Sequence, residues 1–143
     1  MGQARDVLDQ MTKNMVSGDM EGVAGLYAEN ATATTPDQGV LRGREQIVAY
    51  LKQMSDSFSE LDYEPLHAHE AGNTAIDEGF MVGTHSRPLE MPDGGSVPPT
   101  GKRIRVRSID AATVENGQIT NHRFYFDQME FLGQLGLLPD MPA

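Results

Sequence analysis

Two carboxylates and one histidine stand where proton chemistry would need them. From Arg103 to Val114 the residues alternate, with Ile104, Val106, Ser108, Asp110, Ala112 and Val114 on one face. Arg103, Arg105, Arg107, Ile109, Ala111 and Thr113 share the other. Three arginines are not buried together without partners, so the even-numbered face is the inner one and carries Asp110 among apolar neighbours. An isolated carboxyl group in such a place is driven toward its protonated form and becomes a hydrogen-bond donor. Paired with a base or a backbone donor it is a structural group, and both readings stand. In Gln118–Phe126, His122, Phe124 and Phe126 form an aromatic face that fits the interior. Asp127 follows, and strict alternation turns it outward. At a strand-to-helix junction it can be re-aimed over a pocket mouth as a general acid/base. The pattern alone favours the other reading, an N-cap with Glu130 at the capping-box position. His85 ends a strand before a Pro/Gly loop, where it is either a base or donor at a pocket rim or an ordinary structural residue. His67 and His69 share a face on the neighbouring strand, so a three-histidine metal set is conceivable. The HxH pair lacks a third ligand at a diagnostic spacing, and the expectation is no metal and no cofactor.

These residues need elements to hold them. Val7, Leu8, Met11 and Met15 recur at helical spacing, and Gly18 marks the end of that helix. Asp19 caps a short second helix with Val23, Leu26 and Tyr27 as its buried side. Ala31–Thr34 suits a short strand before a turn at Pro36, Asp37 and Gly39. Gly43 introduces a third helix whose apolar stripe is Ile47, Leu51, Met54 and Phe58. The period then falls to two, and Leu61–His69, Thr74–His85, Lys102–Val114 and Gln118–Phe126 read as four strands. Turns at Ala71–Asn73 and Glu115–Gly117 pair them as two antiparallel hairpins. Between the hairpins, Ser86–Gly101 holds Pro88, Pro92, Pro98 and Pro99 and reads as a long surface loop of the functional kind. A last helix starts near Asp127, buries Met129, Leu132 and Leu135, and stops at Gly136 before Pro139. The result is an α+β fold, with N-terminal helices on the concave face of a curved antiparallel sheet. Such a cone encloses an apolar pocket, here walled by Tyr27, Tyr50, Met54, Met81, His122, Phe124 and Phe126. The methionines suit an adaptable lining and suit an ordinary core equally well.

Composition narrows the chemistry. The 143 residues, 38% of them apolar, make one domain spanning 1–143. With no cysteine, thiolate nucleophiles, thiolate metal sites and disulfides are excluded. Eleven Lys+Arg against 21 Asp+Glu give a net charge of −10, which argues against a nucleic-acid partner. No stretch has the length and apolarity of a membrane span, and the expected setting is cytoplasmic. Phosphate-binding Gly-rich loops and a GxSxG elbow are absent.

Three N-terminal segments, Val16–Glu21, Leu26–Thr32 and Leu41–Ile47, resemble the opening of the nuclear transport factor 2-like (NTF2-like) superfamily. Gly83-Thr84-His85 before its proline loop, Pro98–Lys102, Glu115–Ile119, and Tyr125-Phe126-Asp127 running on to Gln134-Leu135-Gly136 resemble the SnoaL-like polyketide cyclases. The likeness covers nearly the whole chain. It implies a cone-shaped fold and a homodimer through the convex sheet face, where Arg103, Arg105 and Arg107 lie. Against the ketosteroid isomerases of the superfamily, the base position falls near Thr35 and the oxyanion tyrosine near Met11. Only the protonated aspartate has a match, at Asp110, so that activity is not expected. In SnoaL-like cyclases an aspartate ending the last strand is the acid/base of an intramolecular aldol closure, and it matches Asp127. The resemblance thus implies a cofactor-independent cyclase or isomerase acting on a polyketide-like carbonyl compound, with Asp127, Asp110 and His85 as its polar set. The alternative is a non-catalytic domain that binds a small hydrophobic molecule or acts as a dimeric interaction module.

Overall fold

Helix α1 (Gln3–Ser17) ends where Gly18 turns left-handed, with φ 77°. α2 (Met20–Gly25) begins at Asp19, whose carboxylate accepts the Gly22 N–H at 2.9 Å. β1 (Tyr27–Thr35), β2 (Gly39–Arg42), α3 (Arg44–Ser57), β3 (Phe58–Ala71) and β4 (Thr74–His85) follow. The short pair β5 (Leu89–Glu90) and β6 (Ser96–Val97) interrupts the sequence before β7 (Arg103–Glu115), β8 (Gln118–Phe126) and α4 (Gln128–Gln134). This is a computed structural model, and it describes residues 2–91 and 94–138. Pro92 of the expected surface loop, and Pro139 beyond the expected end of the last helix at Gly136, lie outside the described residues.

Six strands form one curved sheet in the order β2-β1-β8-β7-β4-β3. All neighbours are antiparallel except β1 and β8, which run parallel. α1 and α3 cover the concave face. Leu8 and Met11 of α1 and Ile47 and Leu51 of α3 are buried with Ala33, Ala112, Val114 and Ile119 of the sheet. Arg5 fastens α1 to the sheet. Its guanidinium meets Asp77 at 2.6 Å and Asp9 at 2.7 Å and is almost wholly buried. A second apolar cluster, with Phe58, Leu89, Ile104, Val106, Phe131 and Leu135, gathers at the other end of the cone under α4.

Four elements depart from the sequence expectation. Tyr27 does not lie on α2 but opens β1, where it pairs with Ile119 of β8. A six-residue helix is too short to dictate its continuation against a long-range strand pairing. Phe58 does not close the stripe of α3; it opens β3 opposite His85 and packs its ring on Phe131. In α4 the buried residue is Phe131, followed one turn on by the expected Leu135 at the C-cap, whereas Met129 is 62% exposed. The segment Ser86–Gly101 is pinned rather than free. Lys102 accepts the His85 N–H at 2.8 Å, the Gly101 N–H returns to His85 at 2.8 Å, and Leu89 is buried.

Candidate functional site

The alternation on β7 places its side chains as expected. Ile104, Val106, Ala112 and Val114 are buried, Ser108 and Asp110 are half-buried on the concave face, and Arg103, Arg105 and Arg107 are exposed. On β8 the facing residues are His122, Phe124 and Phe126, the last two opposite Asp110 and Ser108. Between this face and the two helices is a cavity of 150 Å³, similar in size to one that accepts a single benzene ring. Met11 and Met15 of α1, Tyr50 and Met54 of α3, Met81 of β4 and Phe124 and Phe126 of β8 make its walls. The Tyr50 hydroxyl is engaged, donating to Asp37 Oδ1 at 2.9 Å. Asp110, Ser108 and Tyr63 bring polar groups to this otherwise greasy space.

Behind Asp110 runs a chain of two short hydrogen bonds. Asp110 Oδ2 is 2.6 Å from His122 Nε2, and His122 Nδ1 is 2.6 Å from the Tyr27 hydroxyl. His122 and Tyr27 are fully buried. Burial first, and the Asp110 charge second, push the Tyr27 pKa well above its ordinary value, so this phenol keeps its proton. The buried O–H has no other acceptor among the described residues, so it donates to Nδ1, which leaves the imidazole proton on Nε2 to be donated to Asp110. Of the two arrangements the sequence left open for Asp110, the carboxyl group takes the one paired with a base. Oδ2 is an acceptor, and Oδ1 remains the oxygen available to a molecule in the cavity.

Asp77 stands opposite Asp110 in the β4–β7 register. Burial, then the charge of Asp110, raise its pKa, opposed by Arg5. Tyr63, on β3 opposite Met81, has its pKa raised by burial and then by Asp77 and Asp110. Its hydroxyl is buried and has no hydrogen-bond partner among the described residues.

Four expected site residues lie elsewhere. Asp127 is exposed and caps α4, accepting the N–H of Met129 at 2.8 Å and of Glu130 at 3.3 Å. It borders a shallow outer depression with Arg107 and Glu130, not the cavity. The pleat continues to the end of β8, so alternation turns it out. His85 is wholly buried against Phe58, with Nδ1 accepting the Thr100 N–H at 3.1 Å. It anchors the proline segment instead of lining a rim, and burial lowers its pKa. Tyr27 and His122 are fully buried and reach the cavity through Asp110 rather than lining it. His67 and His69 stack on the exposed edge strand β3, remote in environment from buried His85. Among the described residues no group of three or more His, Asp or Glu side chains is arranged to hold a metal. The sequence reading missed Tyr63 in the wall and Arg5 beneath it, while Met11 and Met15, core-facing by their spacing, are in the wall. The helical stripe of α1 carried the signal for the methionines; nothing singled out Tyr63.

The family model for SnoaL-like domains matches residues 8–122. Among solved structures, the chain is similar to IdmH, a putative polyketide cyclase from Streptomyces antibioticus. The two are 24% identical over 94% of this chain and 99% of that one, with a TM-score of 0.78. A putative SnoaL-like polyketide cyclase from Jannaschia sp. CCS1 superposes with a TM-score of 0.82 at 16% identity, over 96% and 94% of the two chains. A Catenulispora acidiphila protein with a ketosteroid isomerase-like fold, solved with trimethylamine, gives 0.75 at 17% identity, over 96% and 97%. No curated protein matches the chain.

Proposed function

The chain belongs to the SnoaL-like domain family, and from that premise we propose that it is an acid/base cyclase or isomerase acting on a small, apolar, enolisable carbonyl compound. The observation that carries this reading is one carboxylate, Asp110, opening onto an apolar cavity while a buried His122–Tyr27 chain holds it from behind. A cavity that only bound grease would gain nothing from a buried polar chain that is costly to satisfy.

Asp110 Oδ1 takes a proton from the carbon beside a carbonyl, and the electron pair of that C–H bond delocalises onto the carbonyl oxygen. In a ring closure the enolate carbon attacks a second carbonyl of the same molecule. One C–C bond forms, the attacked C=O becomes an alkoxide, and Asp110 returns the proton to it. Atoms balance with a single proton carried, so the step draws on no cofactor. His122 Nε2–H fixes the carboxylate plane throughout and offsets part of its charge. Asp127 is the weaker candidate, because its carboxylate is spent on the helix cap.

The cavity volume suits a single ring and its substituents in the enclosed part. Heptane-2,6-dione, the minimal diketone whose internal aldol closes a six-membered ring, tests the reading by proton NMR detection of the cyclic β-hydroxyketone and of the enone it becomes on losing water. Asp110→Asn is expected to lower the rate by about 10²–10⁴-fold, the share of a positioned acid/base. Equal turnover by that variant would remove Asp110 from the chemistry.

A further inference from the structure

Resting on the reading of Asp110 as proton carrier, we propose that Tyr63 is a second catalytic residue, the hydrogen-bond donor to the substrate oxygen on which negative charge develops. Tyr63 projects from β3 onto the concave face and lines the cavity. Its ring lies across Gly79 of β4. A Cβ built on that glycine would approach both Cζ and Oη of Tyr63 to 2.6 Å, so the bare backbone at this position is what lets the ring cross the strand. The crossing carries the hydroxyl inward, where it is shut off from solvent and bonded to nothing among the described residues. Buried polar groups are almost always satisfied, and one left open on the wall of a cavity is matched by a partner that arrives with the ligand.

The surroundings fix what that partner is. Burial first, and then the charges of Asp77 and Asp110, raise the Tyr63 pKa, with Arg5 opposing them. Its proton is therefore held tightly, and the group donates. An oxygen acceptor is required of the ligand, a carbonyl oxygen, and the C–H carbon beside that carbonyl is offered to Asp110 Oδ1. The substrate class is an enolisable ketone whose apolar remainder packs along Met11, Met54 and Met81. As the α-C–H bond breaks, its proton passes to Asp110 and its electron pair moves onto the carbonyl oxygen. The Tyr63 O–H shortens its hydrogen bond to that oxygen and keeps its own proton.

The test uses the full chain with 2-indanone in D₂O, following α-hydrogen exchange by proton NMR. The wild type is expected to accelerate exchange over buffer, and Asp110→Asn to abolish the acceleration. Tyr63→Phe keeps the ring over Gly79 and is expected to lower kcat about 10²–10³-fold, the usual loss for one oxyanion donor, with KM little changed. Its melting temperature should equal or exceed that of the wild type, because the hydroxyl it loses has no partner among the described residues. Exchange at the wild-type rate in Tyr63→Phe, with Asp110→Asn inactive, overturns this assignment alone. A melting temperature that falls along with the rate makes the hydroxyl structural and overturns it as well. Wild-type exchange no faster than buffer overturns the reading of Asp110 and this inference together.

Discussion

Replacing Tyr27 by phenylalanine removes one oxygen from the deepest part of the polar chain and leaves its volume almost unchanged. In the native protein the Tyr27 O–H is donated to His122 Nδ1 at 2.6 Å, inside a fully buried environment. Without it, both tautomers of the imidazole are poor. With the proton on Nε2, Nδ1 becomes a buried acceptor with no donor. With the proton on Nδ1, that N–H is a buried donor facing a phenyl ring, and Nε2 needs a protonated Asp110. Either way one buried polar atom is orphaned, at a cost of about 1–3 kcal/mol. For a domain of this size that corresponds to a fall in Tm of roughly 3–9 °C. Urea unfolding and nitrogen-15 spectra of the histidine ring supply the two readouts. The wild-type ring should hold its proton on Nε2, and Tyr27→Phe should lose both that single tautomer and the stability. A change under about 0.5 kcal/mol, the noise of an ordinary surface substitution, refutes the chain, as does a wild-type ring protonated on Nδ1 alone.

Asp127→Ala is expected to lose about 0.5–2 kcal/mol, the worth of an N-cap, while turning over heptane-2,6-dione as the wild type does; a rate loss matching that of Asp110→Asn would return Asp127 to the chemistry. Gly79→Ala drives a methyl group into the Tyr63 ring and the Glu64 carbonyl, and overpacking of this kind should cost at least about 1–3 kcal/mol in urea unfolding. His85 is neutral and buried with its pKa lowered from 6.5, so the unfolded chain takes up a proton that the native state refuses. Its stabilising contribution is complete above about pH 6.5 and is lost as pH falls from there toward the lowered value. Unfolding midpoints across that window should slope downward with acid in the wild type, and the slope should diminish in His85→Gln.

Alternation made the contents of the cone legible, because a strand with arginines on one face can bury only the other. Asp110, His122, Phe124 and Phe126 follow from that argument without any knowledge of pairing. What alternation does not supply is register. Counted outward from the Asn116-Gly117 turn, Asp110 would stand opposite Arg123. An irregularity between Thr113 and Val114 shifts the ladder by one residue and sets Asp110 opposite Phe124, with His122 opposite Ala112. Only after that shift do Asp110 and His122 become diagonal neighbours on one face. Tyr63 was hidden by the same device, since β3 carries irregularities on both sides of it, between Ser59 and Asp62 and between Pro65 and His67. Arg5 was hidden for another reason. A charged side chain in an amphipathic helix reads as solvent-facing, and its burial depends on Asp77 arriving from β4, some seventy residues away.

The apolar interior divides into two clusters, one under α1 and α3 and one under α4, and the cavity is where they fail to merge. Met11, Met15 and Phe124 belong to the first side, Met54, Met81 and Phe126 to the second. By the measure for residual core cavities, 150 Å³ left unfilled forgoes at most about 4 kcal/mol. That is a large fraction of what a domain of this size retains. Larger side chains at the methionine positions would close much of the gap, so the openness is not forced by the backbone. The polar atoms point the same way: among the described residues the Tyr63 hydroxyl lacks a partner and Asp110 keeps one oxygen free, both on the cavity wall. Space, an unsatisfied donor and a free acceptor coincide at one place in the cone. A molecule that fills the volume and bridges the two polar groups would relieve all three costs at once, and an enolisable ketone carries both the oxygen and the acidic carbon to do so.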